Sequence, residues 1–341
     1  MKVLFDHPNP FLLAHGGFQT QIEETKKALE VVGVEVERLR WWDDQQMGDL
    51  IHYFGRAHPA YIRQAQIKGI KVVMSELLTG LGSRGAMSRK LQKLCMIVTS
   101  RVLPKEFTAR LCWDAYQLAD ASIALTSWEK ELMVDMFSAK PGRVHVVPNG
   151  VEDVFFRDSN LKIQNPKSKY LVCTATITER KRVVELAEAA IMAQVPVWII
   201  GEPYSKKDRY YKKFLSVVGA AGEMVRYEGG ISSREKMASI YQNASGYVLL
   251  SSMESLSLSA LEAAAGGCSL LLADLPWARF SFGSQATYSR LGSTEEEARN
   301  LKNFYHGIDE APKPHEPCRW EDVGKQLCRI YEGLLADKTS R

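Results

Sequence analysis

Glu254 and Glu262 are separated by seven residues in Met253-Glu-Ser-Leu-Ser-Leu-Ser-Ala-Leu-Glu262. They lie between an apolar run, Tyr247 to Leu250, and a Gly-Gly-Cys-Ser-Leu-Leu-Leu-Ala stretch from Gly266 to Ala273. A buried strand ending at Leu250 delivers Glu254 onto a loop, and Ser257 or Ser259 caps a helix that carries Glu262 early in its course. Carboxylates near a helix N-terminus accept hydrogen bonds from hydroxyls, and the unpaired backbone N–H groups beside them hold an anion. That combination suits a sugar attached to a phosphate. The spacing alone means little, because glutamates are common; the flanking strand, helix and Gly-Gly set the pair apart from a solvated loop charge and a helix-face charge.

Cations stand where such a ligand would need them. Thr174-Ala-Thr-Ile-Thr-Glu-Arg180-Lys181-Arg182 follows an apolar run, at the carboxyl end of a strand, and its three adjacent cations can neutralise a diphosphate. Basic residues at a helix N-terminus oppose the helix dipole, so a nearby anion relieves a cost; an exposed charged turn is the alternative. His15-Gly16-Gly17 precedes a helix, where glycines either let backbone N–H groups approach a phosphate or make a plain turn. Gly201-Glu202-Pro203 ends a further strand and either lines the same site or is an ordinary turn.

These residues need a scaffold, and the chain supplies a repeated one. Val3 to Phe5, Val34 to Leu39, Leu50 to Phe54, Val72 to Met74, Ser122 to Leu125 and Val144 to Val147 read as strands, with helices such as Gln19 to Val32 between them. The alternation of strand and helix predicts a parallel, doubly wound sheet. It breaks at Asp153 to Ser168, a polar stretch with Asn165-Pro-Lys-Ser that reads as a linker, and then restarts. The second series has strands at Tyr170 to Thr174, Val197 to Ile200, Val225 to Tyr227, Tyr247 to Leu250 and Leu270 to Ala273. Its helices are expected at Val183 to Ala193, Ser232 to Gln242 and Ser259 to Ala265. Two such halves predict a ligand cleft at the carboxyl ends of two sheets. Trp320 to Leu335 closes the chain as an amphipathic helix.

Composition excludes several classes. The 341 residues, 45% hydrophobic and 25% charged, suffice for two globular domains, and the net charge of +4 is too small to imply nucleic-acid binding. The six cysteines form no Cys-x-x-Cys pair and read as reduced core thiols of a cytoplasmic protein. The N-terminus lacks the pattern of a signal peptide, and no run approaches the ~20 apolar residues of a membrane span, so any membrane contact is expected to be peripheral. The basic amphipathic stretch within 84–110 is the candidate for it, with core packing as the competing explanation. No metal-ligand spacing, Rossmann Gly-x-Gly-x-x-Gly, Walker loop or serine elbow is present.

Taken together, these motifs resemble the family 4 retaining glycosyltransferases of the GT-B fold. The resemblance spans nearly the whole chain: Gly16-Gly17 with its helix, Pro148-Asn-Gly-Val-Glu152, the Lys181 loop, Gly201-Glu-Pro, Glu254 through Gly267, and Trp320-Glu-Asp-Val. It implies an α/β chain of two Rossmann-like domains. Residues 1–163 would bind the acceptor, 164–320 the donor, and a helix at about 321–341 would pack back onto the first domain. The implied activity is that of a hexosyltransferase using a UDP- or GDP-sugar, with no cofactor and no metal, on a glycan or lipid-linked acceptor. By the resemblance, Glu254 binds the donor sugar and Glu262 the ribose; amides around Ser257 and Leu258 meet sugar and phosphate, and Gly16 and Gly17 close on the diphosphate. Lys181 matches the family's phosphate-binding lysine. The arginine usual five residues earlier is Thr176 here, so Arg180 or Arg182 is expected to replace it. Ser257 replaces a glycine, and Glu76 stands where many members place a histidine, which suggests an acceptor-side role. A nucleotide-sugar epimerase, a sugar phosphorylase and a non-catalytic carbohydrate-binding homologue are the competing readings.

Overall fold

The computed structural model describes residues 1–8, 10–12, 16–104, 107–108, 110–157 and 169–339. The chain forms two compact units, Met1–Asn149 with Trp320–Arg341, and Gly150–Arg319.

The first unit holds strands β1 (Lys2–Asp6), β2 (Glu35–Arg38), β3 (Leu50–Phe54), β4 (Lys71–Ser75), β5 (Ala121–Ala124) and β6 (Val144–Val146), all parallel, in the order β2-β1-β3-β4-β5-β6. Helices cover both faces of such a sheet, which is why its central strands are continuous apolar runs instead of alternating ones. The principal helices are α1 (Gly17–Val31), α2 (Pro59–Ile67), α3 (Ala86–Val102) and α4 (Ser127–Phe137). Asp6, at the end of β1, accepts a hydrogen bond from Tyr61 Oη at 2.7 Å.

The second unit repeats the design. Strands β7 (Leu171–Thr174), β8 (Val197–Ile200), β9 (Val225–Tyr227), β10 (Gly246–Leu249), β11 (Ser269–Ala273) and β12 (Thr287–Ser289) are again parallel, ordered β12-β11-β10-β7-β8-β9. Its principal helices are α5 (Val183–Ala193), α6 (Arg209–Ala220), α7 (Arg234–Asn243), α8 (Leu258–Ala265), α9 (Pro276–Phe282) and α10 (Thr294–His306). Read from β9, the order is the 3-2-1-4-5-6 of a dinucleotide-binding sheet, whose direction reverses between β7 and β10. The two sheets establish the GT-B pattern of paired Rossmann-like domains.

The division after Asn149 lies earlier than the boundary expected at 163. Val151 and Phe155 belong to the core of the second unit, and Val151 pairs with Arg319, its amide donating to the Cys318 carbonyl at 2.8 Å. Asp153–Phe155 is therefore a packed 3₁₀ turn and not linker; the rest of the expected linker from 158 to 168 lies outside the described residues. β12 was not expected, because three residues reading Thr-Tyr-Ser carry no apolar run. The cysteines also need correction: all six are free, but only Cys173 and Cys268 are buried, and Cys95 is exposed.

The last helix, α11 (Trp320–Thr339), belongs to the first unit and packs along α1. A Cβ at Gly324 would come within 2.4 Å of the Ala28 carbonyl oxygen, so glycine permits the close crossing. Trp320, Val323, Leu327 and Tyr331 are its buried side. Tyr331 Oη lies 2.6 Å from His52 Nδ1, and Ser75 Oγ lies 2.6 Å from His52 Nε2, so α11 is tied by a buried imidazole to β3 and β4.

Burial pushes the His52 imidazole down from about 6.5 to about 3. Its folded value lies below its unfolded one, so the unfolded chain takes up the proton first. The contribution to stability is whole above about 6.5 and is lost as pH falls towards 3, by ~1.4 kcal/mol per pH unit. Thermal melts across this window should show that slope, and His52→Asn should flatten it. An unchanged slope in the variant would assign the acid sensitivity to other groups.

Candidate functional site

The reversal point of the second sheet brings two loops side by side. β7 leads into a 3₁₀ turn, Glu179–Lys181, and β10 leads into the segment Leu250 to Ser257. The loops are stapled at the Arg180 carbonyl, which accepts from Ser252 N at 2.9 Å and from the Ser251 and Ser252 hydroxyls at 3.1 Å each. Arg180 Nη1 in turn donates to the Met253 carbonyl at 2.5 Å. Residues seventy positions apart are thereby held in one short cluster.

Within it, Lys181 Nζ sits 2.5 Å and Arg180 Nη1 3.1 Å from Glu254 Oε1. Burial penalises the Glu254 charge, but the two cations outweigh it and hold the carboxyl below its ordinary range. The site is thus a buried carboxylate with two positive partners, ready to exchange them for a ligand's hydroxyls and phosphates. Arg182 goes elsewhere. Its backbone is left-handed, φ 53°, and its guanidinium pairs with the buried Glu297 of α10 at 2.5 Å. Of the two arginines considered, only Arg180 reaches Glu254.

Ser257 caps α8, its Oγ accepting from Ala260 N at 3.4 Å, and Leu258 is the first helical residue. A serine at this cap leaves the earliest helix N–H groups available in principle while satisfying a later one. Glu262 lies on the buried side of α8, but it is not alone there. Arg234 Nη2 contacts Glu262 Oε1 at 2.5 Å and Glu152 Oε1 at 2.7 Å, and its guanidinium lies 4.6 Å over the Phe155 ring. Tyr241 Oη donates to Glu262 Oε2 at 3.4 Å and accepts from Thr174 Oγ1 at 3.0 Å. Burial raises the Glu262 carboxyl above its ordinary range, against the pull of Arg234. The two carboxylates that looked alike in sequence are therefore shifted in opposite directions by their surroundings.

Sequence reasoning missed Arg234 and Tyr241 altogether. They carry no motif, and the only signal was the expectation of a helix at Ser232 to Gln242, within which nothing singled them out. The Gly201-Glu202-Pro203 turn proves to be a buttress. A Cβ at Gly201, whose φ is +150°, would lie 1.9 Å from the Ala175 carbonyl oxygen, and the Glu202 carbonyl accepts from Ile177 N at 3.1 Å. The turn thus supports the loop that carries Arg180 and Lys181.

In the first unit, Gly16 has φ +132° and precedes α1, whose first residue is Gly17; the positive φ is what requires glycine there. His15 lies outside the described residues. Glu76 follows β4, pairs with Arg56 Nε at 2.7 Å and accepts from Tyr116 Oη. Arg56 and Glu76, with Gln92 and Trp113, line a small open hollow. Among the described residues no three His, Cys, Asp or Glu side chains gather to hold a metal ion.

Residues 156–283, which include the Arg180–Lys181 turn, Glu254 and Glu262, match the family model of glycosyl transferases group 1. No curated protein matches the chain. Among solved structures it is similar to sucrose-phosphate synthase from Thermosynechococcus elongatus, with 16% identity and a TM-score of 0.73 over 99% of this chain and 100% of that one. It is also similar to Alr3699/HepE of Anabaena, solved in complex with UDP and glucose, with 13% identity and a TM-score of 0.68 over 97% and 99%. A glycosyltransferase from Rickettsia africae gives 12% and 0.65 over 98% of both chains. At these identities the likeness establishes the shared fold.

Proposed function

We propose that the chain, whose residues 156–283 match the family model of glycosyl transferases group 1, moves a sugar, with retention of configuration, from a nucleotide-diphosphate sugar to a hydroxyl of a glycan or lipid-linked acceptor. The observation that carries this reading is the cluster of Lys181, Arg180 and Glu254 at the reversal point of the second sheet. Breaking the bond from the sugar's anomeric carbon to phosphate builds positive charge on the sugar and negative charge on the departing diphosphate. Lys181 and Arg180 stabilise the diphosphate, assisted by the α8 amides near Ser257 and Leu258. Glu254 accepts from the sugar hydroxyls and Glu262 from those of the ribose. The acceptor oxygen bonds to the anomeric carbon on the face the diphosphate leaves, and its proton passes to a diphosphate oxygen, so no protein nucleophile is needed. Glu76 holds an acceptor hydroxyl.

A uridine nucleotide is favoured as the donor, since a protein of the same fold has been solved with UDP and with UDP-glucose. The reading sets the enzyme to work in the cytoplasm, with peripheral membrane contact through 84–110. A thermal-shift panel of UDP-, GDP-, ADP- and dTDP-sugars tests the donor. Selective binding at a hundred times Kd stabilises the fold by ~2.7 kcal/mol, and the UDP-sugars should give the largest upward shift. Silence from all four at millimolar concentration would overturn the donor-site reading. Product analysis with and without acceptor then separates transfer from epimerisation, which needs none.

A further inference from the structure

Helix α3 is amphipathic in the wrong sense for a core helix. Met96 is its only buried residue, and Arg89 and Lys93 lie on the packed side, where the Arg89 guanidinium covers Trp128 at 4.2 Å and Lys93 pairs with Asp135 of α4. The apolar stripe points outward: Met87, Leu91, Leu94, Val98 and Val102 are 83, 63, 57, 50 and 73% exposed. Their spacing of four, three, four and four places them along one helix face. Core packing, the simpler explanation of this stripe in the sequence, is therefore not what the fold does with it. Leu103 and Phe107 extend the exposed apolar surface past the helix end.

A face of this size left in water is unusual for an isolated soluble protein and marks something that covers it. Charge identifies the partner. Lys90 and Arg101 are exposed beside the stripe, and Arg84 and Arg110 are exposed at either end of the segment. The sequence has no acidic residue between Glu76 and Glu106. A second copy of the chain would bring like charge against like charge, whereas a surface of anionic lipid complements the cations and accepts the apolar side chains. We infer that α3 is a membrane-docking helix that inserts Met87, Leu91, Leu94, Val98 and Val102 into an anionic lipid surface, with Lys90 and Arg101 on the headgroups.

The inference deepens the peripheral contact of the functional reading and can fail while donor binding stands. It also gives that contact a use. Gln92, on the inward side of α3, lines the hollow that contains Arg56, Glu76 and Trp113. A group held there lies about one helix diameter, ~10 Å, from the docked face, within reach of the headgroup of a lipid-carried acceptor.

Flotation with vesicles of phosphatidylcholine alone, or mixed with phosphatidylglycerol, tests the docking. The full chain should float with the mixed vesicles, bind the neutral ones far more weakly, and lose binding as salt is raised. Leu94→Ser should weaken partitioning about tenfold, and Lys90→Gln or Arg101→Gln about fivefold each. All three positions are exposed, and the UDP-sugar thermal shift, recorded on each variant, confirms that fold and donor site are intact. Equal flotation with neutral and anionic vesicles, or none with either, would overturn the proposal. So would a concentration-dependent dimer in the native chain that Leu94→Ser dissolves, since the stripe would then belong to a second copy.

Discussion

Lys181→Ala is expected to lower turnover by a factor of roughly 10²–10³ with little change in melting temperature. The lysine and Arg180 share one carboxylate oxygen of Glu254. A diphosphate entering at the end of β7 would draw the ammonium to itself while sugar hydroxyls take its place on Glu254. The charge that Lys181 then meets grows as the glycosyl bond breaks, so its loss is felt in the transition state more than in binding. Removing one such positioned group costs about 3–4 kcal/mol, the stated two to three powers of ten. The fold should survive because Arg180 still faces Glu254. Lys181→Arg should restore part of the rate. Glu254→Ala should lose a similar factor through the sugar rather than the phosphate, and so leave binding of the nucleoside diphosphate alone nearly unchanged. The decisive comparison is kcat against KM in the two variants with their melting curves. Near-native turnover in either would remove that residue from the site.

Much of the scaffold was legible before the structure because buried parallel strands are the strongest local signal a chain carries. Val197–Ile200 and Val183–Ala193 fall where apolar continuity and helical period put them. What failed was information that exists only after folding. The choice between Arg180 and Arg182 turns on one left-handed residue, Arg182 itself, which redirects the following chain and sends its guanidinium to Glu297. Glu152, Arg234 and Glu262 meet from three separate segments, and nothing in the spacing of any of them announces the others. For α3 the sequence displayed the apolar stripe but not its direction, because periodicity reports that a helix has two faces and not which one a neighbour covers. The boundary at Asn149 was hidden because the apolar residues after it, Val151 and Val154 to Phe156, are split by Glu152 and Asp153 into pieces too brief to read as an element.

The largest effect on stability should come from Arg234→Met. The substitution keeps an apolar stem beside Phe155 but removes the charge that faces Glu152 and the buried Glu262. Breaking a buried pair by deleting one partner costs ~3–5 kcal/mol, because the remaining charge is left without compensation. For a domain of this size that is a fall in Tm on the order of 10 °C. The pH dependence identifies the cause. Burial already lifts the Glu262 carboxyl, and Arg234 opposes the rise; without the arginine the folded value climbs further above the unfolded one. An acid raised in the folded state is unfavourable once ionised, so the deficit should be full above the new folded value, shrink as pH falls through it, and be gone below the unfolded value near 4.5. Arg234→Met with Glu262→Gln should recover most of the loss even at neutral pH, as the double-mutant cycle isolates their coupling. A variant that melts like the native chain at pH 8, or a deficit that deepens on acidification, would mean that Glu262 does not depend on Arg234. A donor's ribose would then meet a carboxylate held by Tyr241 alone, and the donor pocket would have to be rebuilt around that hydroxyl.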